Sequence, residues 1–96
     1  MAEVRVIARA EASDGKAEEL KNLLKQLVAP TRGEKGNLSY EFFESNLAGI
    51  YFFVEHWASQ EELKVHANTE RFKAVMAKAA GLVKVPFEVN IVKAAE

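Results

Sequence analysis

The sequence predicts an α+β domain with the element order β-α-β-β-α-β, the ferredoxin-like arrangement in which a four-stranded antiparallel sheet carries both helices on one face. Three observations predict it. Apolar and polar residues alternate with period two near both ends of the chain, at Val4–Glu11 and again from Phe87. Two segments between them, around Leu20–Val28 and Ser59–Ala80, have helical character. The middle, Leu38–Glu44 and Ile50–Trp57, reads as two strands joined by the short Asn46–Gly49 break, an antiparallel hairpin.

Taken in order, Val4, Val6, Ala8 and Ala10 form one side of a first strand and Arg5, Ile7, Arg9 and Glu11 the other. Ser13-Asp14-Gly15 breaks it and offers Asp14 as a helix N-cap. Leu20, Leu23, Leu24, Leu27 and Val28 make the apolar stripe of the first helix, which is expected to end near Pro30 because proline disfavours helical geometry in the residue before it. Gly33 and Gly36 mark a loop ahead of the hairpin. The second helical region opens on Ser59-Gln60-Glu61-Glu62, a capping box in which serine and glutamate satisfy each other's backbone N–H groups. An interruption is expected at Asn68-Thr69 and a glycine stop at Gly81. Pro86 precedes the last strand, in which Phe87, Val89 and Ile91 alternate with Glu88, Asn90 and Lys93.

Ninety-six residues make a single domain, 1–96. Thirteen basic and fourteen acidic residues leave a net charge of −1, so no basic face points to nucleic acid or an anionic membrane. With no cysteine there is no disulfide framework, thiolate nucleophile or thiolate metal site. No stretch approaches the ~20 apolar residues of a membrane span, and the expected location is the cytoplasm. Helices on one sheet face leave the apolar residues of the other face bare. The adjacent aromatics Phe42, Phe43, Tyr51, Phe52 and Phe53 therefore predict a homodimer packed through that face.

The strand–helix joint from Tyr51 to Val75 concentrates chemistry. Glu55 and Trp57 share one strand face by the period-two rule. His66 follows on the helix, and its ordinary pKa near 6.5 suits proton transfer at neutrality. The bland alternatives are a histidine that only bonds a neighbour, a glutamate that holds Arg9 or Arg71, and a core tryptophan. Tyr40, Phe42, Phe53 and Phe72 can form an aromatic ligand wall or simply core. His56 sits on the strand face opposite Glu55, and two histidines without a third ligand fall short of a catalytic zinc site, so no metal is expected. Glycine-rich phosphate loops and dinucleotide fingerprints are absent from the sequence.

The Gly-x-x-x-Tyr strand opening (Gly36, Tyr40), the Glu-x-Trp pair (Glu55, Trp57), the cap Ser59, and His66 followed six residues later by Phe72 together resemble the antibiotic biosynthesis monooxygenase family. The resemblance covers roughly residues 3–92. It implies a dimeric α+β barrel, in a group that includes quinol monooxygenases and an autoinducer isomerase. Haem-degrading relatives use an asparagine on the first strand and a tryptophan and a histidine ten residues apart in the second helical region. Ala8, His66 and Met76 stand at those places, none of the required type, which argues against haem. The resemblance thus implies a cofactor-independent monooxygenase acting on a phenolic or quinol-type aromatic with dioxygen. In that reading His66 is the base, assisted by Glu55. Tyr40 is the hydroxyl contact, Phe42, Phe53, Trp57 and Phe72 are the walls, and Met76 is part of the substrate site. The competing readings are proton transfer on a small sugar-derived ketone, as in an isomerase, and a non-catalytic ligand-binding dimer.

Overall fold

A computed structural model describes residues 2–96. The chain runs β1 (Val4–Glu11), α1 (Ala17–Lys25), α2 (Val28–Arg32), β2 (Asn37–Glu44), β3 (Ile50–Trp57), α3 (Gln60–Ala67), α4 (Glu70–Ala79) and β4 (Glu88–Val92). The strands form one antiparallel sheet in the order β2-β3-β1-β4, so the predicted ferredoxin-like architecture stands, with each of its two helical regions divided.

Both divisions have local causes. Pro30 falls in the first turn of α2, where its missing N–H is harmless. The same missing donor leaves no i−4 bond to Gln26, so the break lies upstream of the proline, at Gln26–Leu27, where N–H groups reach back only three residues to Leu23 and Leu24. The expected end of the helix near Pro30 is thus a restart. At the second division, Thr69 accepts from the N–H of Phe72 at 3.2 Å and begins α4 as a new helix, at the predicted Asn68-Thr69 interruption. Asp14 does not cap α1. Gly15 turns the chain with φ +77°, Lys16 donates to the Ser13 carbonyl, and the helix starts at Ala17, leaving Asp14 exposed and near Lys84. Gly81 follows the cap residue Ala80 without the left-handed turn expected of it.

Alternation sorts the sheet. Val6, Ala8 and Ala10, Tyr40, and Tyr51, Phe53, Glu55 and Trp57 point to the helices, where Leu20, Leu23, Leu24 and Leu27 of the first helical region and Val75, Ala79 and Leu82 of the second meet them. The opposite face is left without a second layer. There Ile7 lies across from Val54, and Phe43 across from Phe52. Ile7, Phe43 and Val54 are 38, 47 and 37 % exposed, a bare apolar patch in the single chain. The doubled phenylalanines therefore split, with Phe42 and Phe53 inside and Phe43 and Phe52 outside.

β4 is exposed along its whole length. Val89 and Ile91 pair with Ala8 and Val6, which places them on the helix side of the sheet, yet they stay 62 and 59 % exposed. That gap in the helical cover opens the space described next.

Candidate active site

His66 is the only buried residue of α3. A short surface helix normally buries aliphatic side chains, so a histidine in that place needs a polar partner. It has one: Nδ1 lies 2.9 Å from Oε1 of Glu34. Glu34 stands in the tight turn between α2 and β2. Gly36 closes that turn with φ +82°, and its carbonyl accepts from the N–H of Ala58 at 2.8 Å, tying the turn to the start of α3. The carboxylate therefore reaches an imidazole 32 residues away because two loops are pinned side by side. With Nδ1 donating to the carboxylate, Nε2 is left as the acceptor of the neutral ring.

Three aromatic rings hold the imidazole. Trp57 and Phe72 each lie 4.8 Å from it and Tyr40 5.6 Å, between centroids. Phe72 gets there through the Thr69 cap, whose hydroxyl also donates to the His66 carbonyl at 3.0 Å. Ser59 starts α3 by accepting from the N–H of Glu62 at 3.3 Å. The reciprocal half of the capping box is not made among the described residues, and the Glu62 side chain lies against Gly36 instead.

Beside His66, Glu55 is 7 % exposed and accepts from the Trp57 indole N–H at 3.0 Å. Burial pushes its carboxyl above the usual carboxylate range, while the indole bond and His66 pull it back. Tyr40 is the direct cross-strand neighbour of Glu55. Burial, reinforced by the Glu55 charge, drives the Tyr40 hydroxyl far above the ordinary phenol range, so it stays protonated.

These groups face a cavity of about 410 Å³ between the helices and the sheet, open toward β4. Of its fourteen lining residues only Tyr40, Glu55 and His66 are polar, so the site has one polar end and an otherwise apolar wall. Phe53, Phe72 and Met76 line it as well, and so does Ala8. Phe42 and Trp57 do not line it. Phe42 packs 4.6 Å behind Phe53, and Trp57 is fully buried behind His66 and Glu55. Glu55 bonds neither Arg9 nor Arg71: its partner is Trp57, and Arg9 pairs with Glu11 at 3.1 Å. Nor does Glu55 orient His66 by a bond, a place taken by Glu34.

Glu34 is the member that sequence reasoning missed. The Gly33-Glu34-Lys35-Gly36 turn was its only signal, and nothing in the letters couples it to position 66. Phe87, Val89 and Ile91 were read as strand without being assigned to the wall. His56 lies on the other sheet face, 2.7 Å from Glu3. Among the described residues no three histidine, aspartate or glutamate side chains converge as a metal group, and no helix is long and apolar enough to cross a membrane.

The sequence profile of the antibiotic biosynthesis monooxygenase family matches residues 3–78. The chain belongs to the antibiotic biosynthesis monooxygenase family. The matched range includes Tyr40, Glu55, Trp57, His66 and Phe72. The chain is 33% identical over 82 residues to the Synechocystis protein sll1783, covering 84% of this chain but only 56% of that longer relative. It is 30% identical over 88 residues to Rv0793 of Mycobacterium tuberculosis, provisionally named a monooxygenase, covering 92% of this chain and 87% of that one. The solved structure of Rv0793 superposes with a TM-score of 0.92 over 99% of this chain and 97% of the other, at 27% identity. PA3566 of Pseudomonas aeruginosa follows with 0.91 over 100% and 97%, also at 27% identity.

Proposed function

We propose that the chain is a cofactor-independent monooxygenase that oxidises a phenolic or quinol-type aromatic with dioxygen. The observation that carries this reading is buried His66, held by the partly exposed Glu34, at the polar end of an aromatic-walled cavity of small-molecule size. Glu34 is the positioning residue: it holds the ring so that Nε2 is the base. Nε2 takes the phenolic proton, and the resulting anion is electron-rich enough to pass an electron to dioxygen. The ring radical and superoxide join through a new C–O bond, and the hydroperoxide loses water to leave a carbonyl. One oxygen atom stays in the product and one leaves as water, with all electrons drawn from the substrate. The protein's share is deprotonation, alignment of the two reactants and exclusion of bulk water.

His66→Ala is expected to lower oxygen uptake with a reduced naphthoquinone by ~10²–10⁴, the usual loss on removing a general base. The measurement is an oxygen-electrode rate corrected for autoxidation. Uptake at the wild-type rate would remove His66 from the mechanism. Proton transfer without oxygen, as in an isomerase, is favoured by one feature, the second carboxyl, Glu55, facing the same cavity as His66. Turnover of a substrate under argon would decide for it.

The same reading makes the protein a homodimer packed through the open sheet face, supported by the exposure of Ile7, Phe43 and Val54. Sedimentation at micromolar concentration is expected to show twice the 10.7 kDa chain mass, and a monomer alone would overturn it.

A further inference from the structure

The polar end of the cavity is only half paired. His66 commits Nδ1 to Glu34 and Glu55 commits Oε1 to Trp57. Neither His66 Nε2 nor Glu55 Oε2 has a protein hydrogen-bond partner among the described residues, and neither atom is sealed from the cavity. Both are acceptors: Nε2 because Nδ1 carries the ring proton, and Oε2 because the carboxylate has no proton to give when ionised. The Trp57 indole donates to Oε1 at 3.0 Å, which leaves Oε2 as the carboxyl oxygen without a protein partner. Every other lining side chain except Tyr40 is apolar, and Tyr40 makes no hydrogen bond to Glu55 in the structure, so Oε2 is left to take its donor from water or a ligand.

We propose that Glu55 is the specificity-determining second acceptor of the site, and that the cavity selects aromatic compounds carrying two hydroxyl groups over those carrying one. One hydroxyl meets His66 Nε2, the other meets Glu55 Oε2, and the ring lies against Phe53 and Phe72. A ligand with a single hydroxyl strips water from the carboxylate without replacing its hydrogen bond. A buried charged acceptor left that way is the strongest form of discrimination a small pocket has. The proposal rests on the cavity being the substrate site, but not on the oxygen chemistry assigned to it above.

The test is calorimetric titration under nitrogen with a set of dihydroxynaphthalenes (1,3-, 1,5- and 2,7-) and with 1- and 2-naphthol. The wild-type protein is expected to bind the best diol at least about tenfold more tightly than either naphthol. In Glu55→Gln, Trp57 keeps the amide oxygen and the NH₂ group faces the cavity, a donor where the phenol also donates. The preference is expected to fall to about twofold or less. The single indole N–H resonance, from the only tryptophan, reports the same event independently: diols are expected to move it further than naphthols, because they draw charge from the carboxylate it bonds. Equal wild-type affinities for diols and naphthols would overturn the proposal, and they decide it even if Glu55→Gln does not fold. A tenfold preference retained in a folded Glu55→Gln would overturn it equally. Diol preference without oxygen uptake would sink the monooxygenase chemistry and leave this inference standing.

Discussion

Gly36→Ala is the substitution from which most can be learned about how the site is held. Two costs act there, and a second glycine separates them. Gly36 and Gly15 have nearly the same backbone, φ +82° and +77°. An L-residue in that region costs roughly 1–2 kcal/mol, less the ~0.4–1 kcal/mol gained by restricting the unfolded chain. A Cβ on Gly15 meets nothing within 4 Å, so Gly15→Ala is expected to lose only that net ~1 kcal/mol. A Cβ on Gly36 would stand 2.3 Å from Glu62 Cγ, 2.6 Å from its Cβ and 2.8 Å from its Cδ, where carbon atoms need about 3.5–4 Å. Rotating Glu62 can clear Cγ and Cδ, but its Cβ is fixed to the α3 backbone. Either α3 or the Gly33–Gly36 turn must then shift by about an ångström, an overpacking cost of roughly 1–3 kcal/mol.

For a domain of this size each kcal/mol moves Tm by about 4–8 °C, so Gly36→Ala is expected to melt clearly below Gly15→Ala. Glu62→Ala in the Gly36→Ala background should recover part of the difference by removing Cγ and Cδ. The shift also strains the Gly36–Ala58 hydrogen bond and moves Glu34 relative to His66, so oxygen uptake should fall in Gly36→Ala and not in Gly15→Ala. Thermal melts of the three variants with parallel rate measurements test the reasoning. Equal Tm losses at the two glycines would refute it.

Thr31 is 1 % exposed and its hydroxyl has no hydrogen-bond partner among the described residues. Thr31→Val keeps the shape and removes the orphan, so it is expected to gain up to about 1 kcal/mol in urea unfolding; a loss would mean that the hydroxyl bonds the neighbouring Tyr40 phenol. Glu55, raised above its ordinary 4.5 by burial, gives a pH signature. Above pH 4.5 the folded carboxyl holds its proton longer than the unfolded one, so the group's contribution to stability declines as pH rises through that window. Glu55→Gln is expected to lack this decline and to exceed the wild type in Tm at neutral pH but not at pH 4. Parallel curves for the two proteins would show that the Trp57 bond fully offsets the burial.

Much of this fold was legible because its signals are local. Alternation in β1 and β3, the Asn46–Gly49 break and the Ser59 cap each depend on residues within one turn or one strand. The errors were local too: Asp14 lost the cap to a turn set by Gly15, and Pro30 restarted a helix it was expected to end. Of the strand-borne half of the site, period two put Glu55 and Trp57 on one face, while the pairing that brings Tyr40 beside Glu55 came only with the strand register. Burial depth did not follow from it. Phe42 and Trp57 share that side, yet the first is screened by Phe53 and the second is sealed behind His66. Glu34 was illegible because its contact with His66 depends on two loops meeting in space.

The energetics of the polar end support the proposed reading of its residues. A 96-residue domain has a margin of only some 5–15 kcal/mol. At one cavity it nevertheless shelters a histidine, a carboxylate bonded to its ring, and a second carboxyl with a single bond from an indole. Leucine at position 66 and a neutral amide such as glutamine at position 55 would fill similar volume with less charge to desolvate, and such replacements are commonly neutral or stabilising. Trp57 could be satisfied by any neutral acceptor. Structure alone therefore explains the Glu34–His66 bond as a repair of His66, but gives no reason for His66 itself, or for the unpaired oxygen of Glu55. On the proposed reading, a ligand that brings its own donors to Nε2 and Oε2 supplies that reason, turning a stability cost of the empty protein into affinity and proton transfer in the occupied one.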